Sequence, residues 1–174
     1  VLTIGVAIPI PEPWGSQLQR YRESIGDLMA AHIPPHITLV PPVDLAPDVA
    51  RDVEAHLDAA ASAVAPFDIH LRGTATFRPV SPVVFVALAE GISGCERLER
   101  EVRSGPLGVD LTYPYHPHVT VAHEVADAAL DRAFAELADF EARFSVDAFT
   151  LYAHDDAAGW KPRRTFELGA VTAR

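Results

Sequence analysis

The chain has 174 residues, 49% of them hydrophobic, enough for one compact domain with its own core or two small lobes sharing one, and this excludes a disordered chain. A formal net charge of −10 excludes the broad basic surface that grips long duplex nucleic acid, while a small nucleotide or an RNA terminus is still admitted as a partner. Cys95 is the only cysteine, which excludes an intrachain disulfide and a multi-thiolate zinc site, and the expected setting is reducing and cytoplasmic.

The apolar opening Val1–Ile10 lacks a basic flank, contains Pro9 and falls well short of the roughly 20 residues of a membrane span. It is read as a first strand, with no membrane partner. Pro9 to Pro13 stop it before a segment carrying Leu18, Tyr21, Ile25, Leu28 and Met29 at helical spacing. After Pro34-Pro35, the run His36–Val40 predicts a strand of five residues closed by Pro41-Pro42. Pro47 and Asp48 open an amphipathic helix with Val49, Val53, Leu57, Ala60 and Val64 on one face, followed by strands over Phe67–Phe77 and Val83–Ala89.

The pattern then returns. Ile92, Leu98 and Val102 fit a helix ended by Gly105-Pro106; His118–Val121 is a short strand; Ala126–Leu137 is helical, with Leu130, Phe134 and Leu137 on one face. Phe144–Tyr152 and Thr165–Val171 complete the strands. The His-x-Thr runs at 36–38 and 118–120 are separated by nearly the same length as Phe67-Asp68-Ile69 and Phe144-Ser145-Val146, which implies an internal duplication. The expected fold is α+β: residues 1–174 form one bilobal unit, with two mainly antiparallel sheets and outer helices related by a pseudo-two-fold axis around a central cleft.

In a strand, residues i and i+2 share a face, so His36 and Thr38 project together, as do His118 and Thr120. Two imidazoles and two hydroxyls on one surface fit a tetrahedral phosphate, because displacement at a phosphodiester needs a base for the nucleophile and an acid for the leaving oxygen. One His-x-Thr is more often a surface pair or a satisfied buried histidine than a site. Here Pro-His-aliphatic-Thr-aliphatic occurs twice, at Pro35–Leu39 and Pro117–Val121, a coincidence of roughly one in ten thousand from ordinary residue frequencies.

Phe77, Tyr115 and Trp160 are candidates for stacking on a base, against ordinary core packing. Lys161, Arg163 and Arg164 form a dense basic cluster that either faces phosphate or solvates a strand end. Strand parity puts His123 opposite His118 unless the strand bends after Val121. A zinc site built from His32 and His36, or from His116, His118 and His123, is disfavoured because intervening prolines and strand parity keep each set from converging. A binding module that has lost turnover is the other alternative, opposed by the presence of both complete motifs.

At these residues the chain resembles the 2H phosphoesterase superfamily, and within it the bacterial 2′-5′ RNA ligase-like cyclic phosphodiesterases. Phe77-Arg78-Pro79, Gly159-Trp160 and Phe166-Glu167-Leu168-Gly169 add to the likeness. The resemblance implies a bilobal fold, no metal or other cofactor, and hydrolysis of 2′,3′-cyclic or 2′-5′ nucleotide phosphodiesters, with RNA-end joining as a reverse activity. It also implies that His36 and His118 are catalytic and that Thr38 and Thr120 hold the phosphate, with either histidine chemically able to be the acid. Certain relatives carry an arginine where this chain has His123, so a fixed positive charge is either missing or supplied elsewhere. A monomer is expected.

Overall fold

The computed structural model describes residues 2–108 and 110–169 of the chain. Its strands are β1 (Leu2–Pro9), β2 (His36–Leu45), β3 (Phe67–Thr76), β4 (Val83–Glu90), β5 (Val119–His123), β6 (Glu141–Val146), β7 (Ala148–Asp155) and β8 (Gly159–Glu167). Helices α1 (Trp14–Ser24), α2 (Pro47–Ser62), α3 (Ile92–Val102) and α4 (Asp127–Glu136) connect them, with 3₁₀ turns at Leu28–Ala31 and Gly105–Leu107. The α+β class expected from the sequence is observed.

The two expected sheets are hydrogen-bonded into one. All neighbours are antiparallel, in the order β6-β3-β4-β5-β2-β1-β7-β8. The seam between the halves is narrow, with Ile37 and Val119 as its register pair. Both side chains are fully buried and point into a core shared by the two halves. Helices α1 and α4 pack on the β5 half and α2 on β8, whereas α3 packs on α2 and on both β2 and β3, one strand from each half.

Several element boundaries differ from expectation. Helix α1 stops at Ser24 because the chain turns at Gly26, whose φ of 82° suits glycine and breaks the helical path. Leu28 and Met29 therefore leave the buried helix face and are exposed. Strand β2 runs on past Pro41-Pro42 to Leu45: its pairing with β1 shifts register between Val6↔Val40 and Ile4↔Val43, so the prolines sit in the irregularity and interrupt no ladder bond. The expected strand Phe144–Tyr152 is two strands divided at Asp147, because β6 pairs with β3 at one edge whereas β7 crosses to pair with β1. Phe67–Ile69 and Phe144–Val146, read as corresponding segments of a repeat, lie side by side as antiparallel partners, Phe67 opposite Val146. Strand β8 starts at Gly159, well before Thr165, and Ala170 and Val171 of the predicted last strand lie outside the described residues. Phe134 is exposed on α4.

Candidate active site

The β2–β5 seam brings the two motifs together. Stepping one residue from the Ile37↔Val119 pair in each direction sets His36 across from Thr120 and Thr38 across from His118. Ile37 and Val119 occupy the core face, so these four side chains share the opposite face, with the imidazoles on a diagonal of about 7–8 Å between α-carbons. Two imidazoles and two hydroxyls are thereby presented on one face of the seam.

Each imidazole is oriented by the same local device. His36 Nδ1 lies 2.8 Å from the Pro34 carbonyl oxygen and His118 Nδ1 lies 2.7 Å from the His116 carbonyl oxygen. A carbonyl can only accept, so Nδ1 carries the proton in both rings and Nε2 is left for the cleft. The intervening Pro35 and Pro117, both buried, restrain the backbone that presents these carbonyls. Burial pushes both imidazoles below the ordinary value of 6.5, since desolvation penalises the charged ring. For His36 the Arg22 charge adds to that effect, and for His118 the His116 ring does so. The hydroxyls of Thr38 and Thr120 make no hydrogen bond to protein among the described residues, which leaves them for a ligand.

Both motif strands bulge at the same place. Strand β1 meets Val40 and then Thr38, skipping Leu39; β4 meets Ala122 and then Thr120, skipping Val121. In each strand two consecutive residues, Leu39-Val40 and Val121-Ala122, are consequently buried. The bulge reverses parity for the residues beyond it, and His123 turns onto the cleft face. The strand bend on which a cleft position for His123 depended is thus present.

The cleft has two chambers that meet at Thr38 and Pro41. The first, about 310 Å³, is lined by His36, Thr38, Thr120, His123, Trp160 and Arg22, among others. The second, about 760 Å³, is more apolar and holds His118 with Phe77, Tyr113, Tyr115 and Val80. Phe77 stands edge-on to His118, ring centroids 5.0 Å apart, and packs on Phe85 at 4.4 Å, so it serves as wall and as support for the imidazole. Tyr115 donates its hydroxyl to the Thr38 carbonyl at 2.8 Å, tying the segment before β5 to β2 while its ring lines the cleft; burial pushes its phenol well up. The backbone N–H of Trp160 bonds to the His32 carbonyl at 3.0 Å, and its ring stands edge-on to His154.

The basic cluster is placed elsewhere. Arg163 and Arg164 pair with Glu54, and Arg164 also with Asp58 at 2.8 Å, both acids belonging to α2. Neither arginine lines a chamber, and neither does Lys161, which is exposed on β8. Of the two alternatives for this cluster, this placement favours the solvated strand end, with the acidic face of α2 taking up the two guanidinium groups. Among the described residues no three His, Cys, Asp or Glu side chains stand close enough to hold a metal ion.

Arg22 is a cleft residue the sequence reading missed. A signal for it existed, since Arg22 falls on the same helical stripe as Gly15 and Leu18, the buried face of α1, where a charge is out of place unless paired or functional.

Comparison with known proteins gives concordant results. The family model described as the 2′-5′ RNA ligase superfamily matches residues 9–158. A Bacillus licheniformis protein provisionally named as a phosphoesterase is 30% identical over 142 residues, spanning 80% of this chain and 83% of its own. A similarly named protein of Bacillus cytotoxicus is 28% identical over 141 residues, spanning 80% of this chain and 81% of its own. Among solved structures, Escherichia coli LigT in complex with 3′-AMP is similar with a TM-score of 0.70 at 20% identity, over 96% of this chain and 98% of that one. A Thermus thermophilus protein gives 0.70 at 19% identity, over 97% and 99%. At these identities the structural likeness is one of fold.

Proposed function

The chain belongs to the 2′-5′ RNA ligase superfamily, and on that footing we propose that it hydrolyses a 2′,3′-cyclic or 2′-5′ nucleotide phosphodiester, without a metal ion, by paired-histidine acid–base catalysis. The observation that carries this reading is the mirrored pair of imidazoles, each with Nδ1 committed to a carbonyl and Nε2 left for the cleft, each opposite the other motif's threonine. His118 Nε2 takes a proton from water as its oxygen attacks phosphorus. The bond to the departing ribose oxygen breaks as His36 Nε2–H delivers a proton to it. The hydroxyls of Thr38 and Thr120 donate to the non-bridging oxygens, where charge builds in the transition state. Solved LigT structures hold 3′-AMP, ATP and NADP+, which supports a small nucleotide or a nucleotide terminus as the ligand class.

The test is a panel of 2′,3′-cyclic nucleotides and 2′-5′ dinucleotides, with products separated into 2′- and 3′-phosphate isomers. Turnover of at least one class to a single isomer is the expected result. Binding without turnover across the panel would reduce the protein to a nucleotide-binding module and overturn the proposal.

The depressed imidazoles set a pH signature. The kcat/KM profile reports the free protein, in which both rings titrate below 6.5. Its rising limb, where the base loses its proton, and its falling limb, where the acid does, should both lie on the acidic side of that value. The anionic diester favours the imidazolium once bound, so the limbs of kcat should move to higher pH. A kcat/KM optimum above about pH 7 contradicts the assignment of these two groups.

A further inference from the structure

The two motifs supply proton carriers and neutral donors but no fixed cation for the phosphate. Beyond the bulges, Pro41 follows the first motif and His123 the second. Arg22 is the single Arg or Lys among the described residues that line either chamber. It is buried, and its Nε and Nη2 reach the same oxygen of Asp27, at 2.9 and 2.8 Å.

Asp27 is itself held on several sides. Its carboxylate is fully buried, its other oxygen accepts from the Met29 N–H at 3.0 Å, and its own N–H donates to the Arg22 carbonyl at 3.0 Å. The turn after α1 is therefore a rigid clamp on one edge of the guanidinium. Five N–H donors in a planar fork leave the Nη1 group uncommitted to Asp27. Arg22 and His36 line the same chamber, and the guanidinium charge disfavours protonation of that imidazole.

A purely structural ion pair would close the turn equally well in a solvent-free wall, and such pairs are often replaceable by apolar residues without loss of stability. This one opens into the chamber shared by His36, Thr38, Thr120 and His123. We propose that Arg22, aimed by Asp27, is the fixed cation that receives a non-bridging oxygen of the substrate's phosphate, with Asp27 as its positioning residue. The assignment rests on the phosphodiesterase reading for the identity of the anion, and its test does not depend on turnover.

The experiment titrates inorganic phosphate into the full chain while following the His36 and His118 imidazoles by NMR, for the unmodified protein, Arg22→Lys, and the double variant Arg22→Met/Asp27→Leu, which removes both charges together. Thermal melts report folding in each case. Saturable phosphate binding is expected in the unmodified protein and at least about tenfold weaker binding in the double variant, a loss of about 1.4 kcal/mol. Arg22→Lys should retain part of the affinity. In the free double variant the His36 titration should move to higher pH while that of His118 stays in place, and the phosphate affinity is the readout that a merely structural role would not move. Unchanged phosphate affinity in a folded double variant, or no saturable binding by the unmodified protein, overturns the inference. Should phosphate binding depend on Arg22 while no diester is turned over, the hydrolase reading fails alone.

Discussion

His36→Ala should lose about 10²–10⁴-fold in kcat on a 2′,3′-cyclic nucleotide, the usual worth of a positioned general acid, and should recover most of the activity on a nitrophenyl phosphodiester. The reasoning is chemical. A ribose alkoxide cannot depart from phosphorus near neutrality without a proton, whereas nitrophenolate leaves as a stable anion. His118→Ala should fail on both substrates, because water still has to be activated at the attacking side. The seam makes the comparison fair, since the two imidazoles have equivalent carbonyl anchors and differ mainly in surroundings: Arg22 and the smaller chamber for His36, Phe77 and the larger one for His118. Steady-state rates on the two substrates decide the matter. Rescue of His118→Ala would reverse the acid and base roles, and rescue of neither would show that the rings act by holding charge.

Thr38→Val and Thr120→Val should each cost about 10²–10³-fold in kcat, the loss measured when one donor to a developing oxyanion is removed. Valine keeps the branched shape, so packing at these half-buried positions is preserved. Folding should not suffer either, because neither hydroxyl has a protein partner to abandon among the described residues. The effect should appear in kcat more than in KM, as it does when an interaction strengthens in the transition state. Wild-type kcat in either variant, with an unchanged melting temperature, would show that hydroxyl to be idle.

Much of this site could be read from alternation alone. In Pro35–Leu39 and Pro117–Val121 the aliphatic residues mark the core face and leave His and Thr on the other, and the burial of Ile37, Leu39, Val119 and Val121 agrees with that reading. The part that could not be read depends on cross-strand register. Nothing local in Thr38-Leu39-Val40 or Thr120-Val121-Ala122 announces a bulge, because the extra residue is defined by the strand opposite, and the bulge is the feature that brings His123 into the cleft.

The same limit explains the remaining differences. Phe144–Tyr152 has uninterrupted strand composition, yet Asp147 divides it where the chain leaves one edge of the sheet to join β1. Lys161, Arg163 and Arg164 are a basic cluster in sequence, but Glu54 and Asp58, far away along the chain, take up the two arginines. Arg22 escapes a sequence reading for the opposite reason. Its charge is visible on a buried helix face, but its partner Asp27 and its chamber are assembled only when the turn at Gly26 folds α1 against the seam.

The most direct measurement of the central claim is the rate of cyclic nucleotide opening by protein stripped with a chelator and assayed in its continued presence, compared with the same protein resupplied with divalent cations. Two histidines acting as acid and base on a phosphate held by threonine hydroxyls predict the same kcat in both samples. Activity abolished by the chelator and restored by a divalent ion would contradict the account.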